Sequence, residues 1–567
     1  MATQERTSLI ETMLARAREE PERIAFVFVG DNGSARPVTR ADLRRRTGQY
    51  AAALTRQRVG RGDVVLLAVD HGVEQVSLFL GAIAIGAIPC IFPCNTPKLD
   101  LDAYLERLTG AAQKIRPALL VVQQSAAKAV PPSSVDVAVL DITALQATAA
   151  SEDGDAMVPA PARADDVAFL QLSSGSTGRQ KAIPVTHGSV FNCVEARNAA
   201  LQIDASDVIV GWVPLYHDLG LVGDVLTPLI TGLTSVVIST LHWLARPVVL
   251  MEAIDRYGAS VCTMPNFAFN YCVRRIEDAE MAGLDLGKWR VLCNAAERVR
   301  PDSFTSFADR FTRWGFRAEA FIAGYGLAEN TLTVTMTPLR QPPRVDWIDR
   351  SALQDRGVAV PTSDRSDAVG LVSCGVPLPN AELAIRSDEG ESLPDRHVGE
   401  LVVRSNCMFQ GYVDDPERTA EALRDGWLCT GDIGYLVEGE LYVCGRKKDV
   451  IVVGGTNVYA EDVEVVASRV KGFRPGRVVA FGVPDEHRDS EKIVVLGELH
   501  DPAAADARAI ASELRRTVKK QLDVTLADVE FVSAGWIAKT TSGKISRWEN
   551  RSKWLATLPL RAPAQLP

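Results

Sequence analysis

Val167-Ala168-Phe169-Leu170-Gln171-Leu172-Ser173-Ser174-Gly175-Ser176-Thr177-Gly178-Arg179-Gln180-Lys181 is the stretch on which the fold turns. A mostly apolar run reads as a buried strand, and the chain then breaks into small hydroxylated residues and glycines before a lysine. Small residues let backbone N–H groups converge on phosphate oxygens, the hydroxyls of Ser173, Ser174, Ser176 and Thr177 add donors, and Lys181 supplies positive charge. The Walker spacing Gly-x-x-x-x-Gly-Lys-Ser/Thr is absent, as is the Gly-x-Ser-x-Gly elbow of esterases. Taken alone, the loop reads equally well as a flexible linker. Its position favours a phosphate cradle, since linkers rarely leave straight from a buried strand and re-enter core sequence such as Ala182-Ile183-Pro184-Val185.

Around this stretch, from Pro37 to about Leu250, apolar helical segments alternate with continuous β-branched runs such as Val64-Val65-Leu66-Leu67-Ala68-Val69 and Ala118-Leu119-Leu120-Val121-Val122. That alternation predicts an α/β fold with parallel-rich sheets covered by helices. The stretches Ala126 to Ser134 and Ala149 to Asp166 read as surface loops. After Arg446 the pattern changes to a short α+β arrangement: a strand at Asp449 to Val453, a helix from Glu461 to Val470, and another helix around Ala509 to Leu522. The division expected is a large domain over residues 1–446 and a smaller, mobile one over 447–567.

At 567 residues the chain exceeds what one hydrophobic core usually supports. A net charge of -9 argues against a general attraction to nucleic acid or anionic lipid. The ten cysteines show no metal-ligand spacing and no disulfide framework, and the polar N-terminus lacks the features of a signal peptide, so a cytoplasmic protein is expected. The uncharged run Ser77 to Pro93 approaches the length of a membrane span, but Pro89 and the missing basic flanks favour a buried helix followed by a buried strand.

Four further motifs follow the loop in order: Gly324-Tyr325-Gly326-Leu327-Ala328-Glu329, Trp427-Leu428-Cys429-Thr430-Gly431-Asp432, Gly445-Arg446-Lys447-Lys448-Asp449 and Lys539-Thr540-Thr541-Ser542-Gly543-Lys544. Together they resemble the adenylate-forming superfamily of acyl-CoA synthetases, nonribosomal-peptide adenylation domains and luciferases. The resemblance implies ATP-dependent activation of a carboxylic acid to acyl-AMP with release of pyrophosphate, in the presence of Mg²⁺. By that resemblance the loop Ser173 to Gly178 with Lys181 holds phosphates, and Glu329 and Thr177 hold Mg²⁺. Ala295, Ala296, Glu297, Tyr325 and Gly326 line the adenine side, Asp432 and Arg446 take the ribose, Lys544 reaches the reacting carboxylate and α-phosphate, and Lys448 is the hinge. A reaction that gathers so many negative charges must rely on charge neutralisation and positioning.

Finer features resemble the fatty acyl-AMP ligases, which pass the acyl group to the phosphopantetheine thiol of an acyl carrier protein. They are Trp212-Val213-Pro214-Leu215-Tyr216-His217-Asp218-Leu219-Gly220-Leu221, Met264-Pro265-Asn266-Phe267-Ala268-Phe269 and Asn294-Ala295-Ala296-Glu297. The implied substrate is a medium- or long-chain fatty acid, used in secondary-metabolite synthesis. Trp212, His217, Asn266 and Phe267 are candidates for the acyl pocket, although aromatics beside a buried strand also read as plain core. His217 beside Asp218 is not needed as a base, because a carboxylate is already ionised at neutral pH.

The Pro- and Asp-rich stretch Gln341 to Asp367 shows no obvious elements and corresponds to a segment that this branch inserts. Packed against the small domain, it would restrict the rotation that coenzyme A ligation needs. Arg515, Arg516, Lys519 and Lys520 form one basic helical face, either a carrier-docking patch or a solvated surface. Gly178-Arg179-Gln180-Lys181-Ala182, Ala538 and Gly454-Gly455-Thr456-Asn457 depart from the patterns common in the family. The rival readings are an acyl- or aryl-CoA synthetase, discriminated by the thiol acceptor, and an inactive nucleotide-binding scaffold, discriminated by carboxylate-dependent ATP–pyrophosphate exchange.

Overall fold

The computed structural model describes residues 8–95, 101–124, 137–173, 180–454, 456–485, 490–503, 506–540 and 544–557. Two large sheets dominate. The first has nine strands, and its centre runs in parallel through Phe321–Gly326, Val291–Ala295, Val261–Pro265, Val208–Gly211, Thr234–Ile238 and Ile24–Val29. Antiparallel strands close both edges. The second has six strands, ordered Ala138–Asp141, Leu119–Val122, Val64–Ala68, Ile88–Ile91, Val167–Ser173 and Lys181–Thr186. Val65, Leu66, Leu67 and Leu119 to Val122 are fully covered on both faces, which is why their sequence reads as continuous apolar runs.

The suspected membrane segment is a helix, Val73–Ala84, followed by the buried strand Ile88–Ile91. Among the described residues no helix is long and apolar enough to cross a membrane.

Strand Val167–Ser173 turns back on Lys181–Thr186 as an antiparallel pair, with Ser173 opposite Lys181. Ser174, Gly175, Ser176, Thr177 and Gly178 lie outside the described residues.

A five-stranded sheet follows, including Gly399–Ser405, Trp427–Val437 and Glu440–Arg446. Beyond it the 3-10 turn Lys447–Asp449 leads into a hairpin, Val450–Val453 with Thr456–Tyr459. Then comes a three-stranded sheet flanked by helices Ala460–Arg469, Ala507–Leu522 and Arg547–Thr557. This part has a core of its own around Val463, Val478, Ile493, Leu514 and Val518.

The stretch Gln341 to Asp367 corrects the expectation of a structureless loop. It contains strand Val345–Asp349, which pairs with Ala368–Val372, and helix Arg350–Arg356, capped by the Asp349 side chain on the Ala352 N–H. Its polar composition hid a small apolar set. Ile348, Leu353 and Ala359 pack with Tyr435, Tyr442 and Tyr459.

Candidate active site

The parallel strands of the nine-stranded sheet end together, and the candidate residues gather there. Strand Phe321–Gly326 delivers Tyr325 and Gly326. A Cβ at Gly326 would lie 1.8 Å from the Leu332 carbonyl, so only glycine allows the chain to turn towards Glu329 at this point. The Tyr325 hydroxyl donates to Asp432 at 2.7 Å, and burial followed by the Asp432 charge raises the phenol well above its ordinary pKa. Asp432 and Arg446 are cross-strand neighbours in one ladder, 3.2 Å apart from guanidinium to carboxylate. Asp432 raises the Arg446 pKa further. One carboxylate is thus fixed from two sides while remaining at the cleft.

Glu329 sits in the 3-10 turn Ala328–Asn330. Its carboxylate accepts from the Tyr412 hydroxyl at 2.7 Å, and that same hydroxyl accepts from Lys181 Nζ at 3.0 Å. The Lys181 ammonium also lies 4.5 Å from the centre of the Tyr412 ring. Burial lowers the Lys181 pKa, with Glu329 acting against that shift. Tyr412 is a site residue that the sequence reading missed. A Gly-Tyr pair in a polar loop carries no chemical signature until its hydroxyl is placed between two charges.

Lys544 comes from the far end of the chain. Its ammonium donates to the carbonyl of Ala296 at 2.5 Å, a residue with a left-handed φ of 69°. Burial lowers the Lys544 pKa, Glu297 opposes the shift and Arg446 adds to it. Glu297 is itself raised by burial, against the pull of Lys544, and one of its oxygens lies 3.4 Å from the Phe267 N–H. Lys448, in the turn Lys447–Asp449, is lowered to about 8 by its enclosure and by the cations Arg446 and Lys181. Lys181, Arg446, Lys448 and Lys544 therefore crowd one cleft. All three lysines feel the Arg446 charge directly, and a polyanion would relieve the crowding.

The small C-terminal part is held against the large one by a half-hidden ion pair, Arg298 with Asp462 at 2.7 Å. Arg107 with Glu549 and Arg469 with Asp302 add looser contacts, each at 3.4 Å. Inside the small part Arg547 joins Asp449 and Glu464 at 2.7 and 2.6 Å, tying the last helix to the turn after Arg446.

The acyl-pocket candidates do not share one environment. Trp212 is buried and stacks face to face on Trp243 at 3.5 Å, while Phe267 meets both indoles edge-on at about 6 Å and stays partly exposed. Asn266 is buried, and its side-chain oxygen accepts from Asn294 and from the Arg300 N–H. His217 lies 2.5 Å from Asp218. Burial acts to raise Asp218, and His217, the Leu219 N–H and Lys544 together hold the carboxylate below its usual range. Asp218 and Lys544 also act on each other across the cleft.

For a metal, the donor set is thin by design. Among the described residues no group of three His, Cys, Asp or Glu stands ready to hold an ion. A single carboxylate such as Glu329, completed by substrate phosphates and water, fits the habit of Mg²⁺.

The family model described as AMP-binding enzyme matches residues 13–413. A putative acyl-CoA synthetase of Caulobacter vibrioides is 32% identical over 87% of this chain and 86% of its own. A 4-hydroxyphenylalkanoate adenylyltransferase of Mycobacterium marinum is 31% identical over 95% of this chain and 90% of its own. A structure from a study of fatty acyl-adenylate ligases of E. coli and L. pneumophila superimposes with a TM-score of 0.91 at 26% identity, covering 99% of this chain and all of that one. With motif order, sheet order and family model in agreement, the chain belongs to the AMP-binding enzymes, the adenylate-forming family.

Proposed function

We propose that the protein is a fatty acyl-AMP ligase that joins a medium- or long-chain carboxylic acid to the α-phosphate of ATP and then passes the acyl group to the phosphopantetheine thiol of an acyl carrier protein. The observation that carries the reading is the placement of Lys544 on the Ala296 carbonyl, beside Glu297 and within the field of Asp218 and Asp432. That is where a cation is needed when a carboxylate oxygen attacks phosphorus and charge gathers on the α-phosphate.

Asp432, steadied by Arg446 and Tyr325, accepts the ribose hydroxyls, and the Tyr325 ring covers the adenine. Ala295 and Ala296 form the rim of the adenine side, with Glu297 beneath them. The loop Ser173 to Gly178 and Lys181 steady the departing pyrophosphate. Glu329 holds Mg²⁺, which supplies charge neutralisation for the phosphates. No base is required, because the attacking carboxylate is already ionised.

In this proposal Lys448 is the hinge between a body ending at Arg446 and the small domain 447–567. Rotation there withdraws Lys544 and admits the thiol. Preference for a carrier over free coenzyme A is supported by the inserted segment, whose Asp355 accepts from Thr456 of the small domain at 3.1 Å and whose apolar residues meet Tyr459. Contacts of this kind resist the larger rotation.

Two assays test the reading. ATP–pyrophosphate exchange should depend on a fatty acid and run from acetate to palmitate with an optimum above six carbons; no exchange with any acid would end the proposal. Thioester formation should be at least tenfold faster on a phosphopantetheinylated carrier than on coenzyme A; parity would return the enzyme to the acyl-CoA synthetases.

A further inference from the structure

Beside the turn that carries Glu329, two cysteines from distant parts of the chain meet. Cys193 lies in helix His187–Leu201, which continues from the strand that begins at Lys181, and Cys407 lies five residues before Tyr412. Both are free, and each is 1% exposed. The Cys407 thiol donates to the Cys193 sulfur, which also accepts from the Thr333 N–H. Asn380 fixes the meeting from the side: its Nδ2 lies 3.1 Å from Cys407 Sγ, 2.8 Å from Asn406 Oδ1 and 3.4 Å from the carbonyl oxygen of Asn192. Asn192 in turn donates to the Asn406 carbonyl at 3.0 Å. Asn406 is exposed, and Asn192 and Asn380 are half-buried, so the sulfurs lie close beneath the surface. A buried free cysteine is ordinarily plain core. These two are set apart by polarisation: donation from Cys407 and then from Thr333 lowers the Cys193 pKa, while Cys407, which keeps the proton, is raised.

Both cysteines hold the segment that follows Glu329. The Cys407 carbonyl accepts from Thr331 Oγ1 at 2.9 Å, and the Phe409 N–H donates to the Glu329 carbonyl at 2.8 Å. Thr331 stands at φ 66°, a left-handed backbone that a β-branched residue rarely adopts, so its neighbours must hold it there. Lys181 and Glu329, bridged by the Tyr412 hydroxyl, are thus carried on the chain segments that meet at the two sulfurs.

We propose that Cys193 and Cys407 are a redox-modification site, which a peroxide joins as a disulfide that shifts the segment after Glu329 and slows the use of MgATP. The Cys193 sulfur attacks one peroxide oxygen as the O–O bond breaks, leaving a sulfenic acid, and the other oxygen departs as water with the thiol proton. The Cys407 sulfur then displaces the sulfenic hydroxyl, which leaves as a second water with the Cys407 proton. Two thiols give up two electrons and one peroxide takes them. A disulfide draws its sulfurs closer than a hydrogen bond leaves them and dictates the angle between them. Cys193 is anchored in a helix whose Val190, Val194 and Leu201 are buried, whereas Cys407 stands in a turn. The Cys407 side therefore yields, and with it the hold on Thr331 and Glu329.

The effect on MgATP rests on the adenylating reading; the linkage does not, and two readouts keep them apart. The full-length enzyme is treated with hydrogen peroxide, alkylated without reduction, digested and mapped by mass spectrometry. A linked pair of peptides holding Cys193 and Cys407, separated again by dithiothreitol, is expected. Oxidation confined to other cysteines, of which Cys94 and Cys429 are the less buried, overturns the site, and this arm needs no variant to fold. ATP–pyrophosphate exchange is followed alongside, with the acid that supports it best. The linked enzyme should show a KM for MgATP at least fivefold higher, restored by dithiothreitol to within twofold of its starting value. Cys193→Ser and Cys407→Ser should each exchange within twofold of the reduced wild type and lose this response. A linked pair with unchanged exchange, or a response that persists in both variants, overturns the switch. Exchange with no acid from the reduced enzyme defeats the adenylating reading instead, and the peptide map alone then decides the site.

Discussion

At the Tyr412 hydroxyl one oxygen touches both the residue proposed for phosphate and the residue proposed for metal. Tyr412→Phe removes that bridge and little volume, so fold stability should change by only ~1 kcal/mol, the net worth of an ordinary hydrogen bond. Exchange should fall about tenfold, through kcat as well as through KM for ATP, as steady-state kinetics across Mg²⁺ concentrations would read; unchanged kinetics would detach Tyr412 from the site. Lys544→Ala should cost about 100-fold or more in exchange, the scale of removing one electrostatic stabiliser of a transition state. Its melting temperature should hold within a few degrees, because among the described residues the ammonium's hydrogen bond is to a single carbonyl and its loss is eased by the relief of the Arg446 repulsion.

Asp224 gives a prediction in pH. Burial raises its carboxyl to about 8, Arg197 acts against the shift, and the Cys262 thiol is the other titratable group that feels it. In the unfolded chain an aspartate binds its proton only below pH ~4. Between about 4 and 8 the folded form therefore holds the extra proton, and stability contributed by this group is lost as pH rises through that window. Asp224→Asn cannot titrate, so its melting temperature should decline less steeply from pH 5 to 8 than that of the wild type, by differential scanning fluorimetry.

Among elements, the strand and helix after Gln341 touch the C-terminal part through Asp355 and Thr456. Asp355→Ala should leave acid-dependent exchange unchanged and raise thioester formation on coenzyme A severalfold; no change in acceptor ratio would take the insert out of acceptor choice. This segment also marks where the sequence was hard to read. Strands such as Val64–Ala68 are covered on both faces and declare themselves as unbroken apolar runs, whereas Val345–Asp349 and Arg350–Arg356 bury single residues, Ile348 and Leu353, among polar neighbours.

Candidate site residues were legible where several short motifs recur in a fixed order, as with the glycine-flanked Tyr325 and Thr430-Gly431-Asp432, which alone is a commonplace run. Tyr412 and the pair Arg298 with Asp462 were not, because each gains its meaning only from a partner on a distant element. On the basic helical face the charges were legible and their pairing was not. Arg516 and Lys519 are answered by Glu513 and Asp523 of their own helix and its cap, which halves the free charge a partner would meet.

For the whole molecule, the relation between the two parts rests on few contacts, with Arg298 and Asp462 the best enclosed. Asp462→Asn leaves the arginine hidden with a weaker partner. Exchange should slow several-fold, and the turn Lys447–Asp449 should become more open to limited proteolysis; protection equal to wild type would mean that other contacts hold the parts together.

Asp432 and Arg446 form the last rung of their ladder, and the turn begins at the very next residue. A rotation in that turn moves Lys544 while leaving the rung unbroken. The nucleotide half of a bound adenylate would then stay anchored throughout, so the intermediate would be committed to transfer and little of it would leak into solution. Quenched-flow partitioning of labelled acyl-AMP, retained against released, reads that commitment directly.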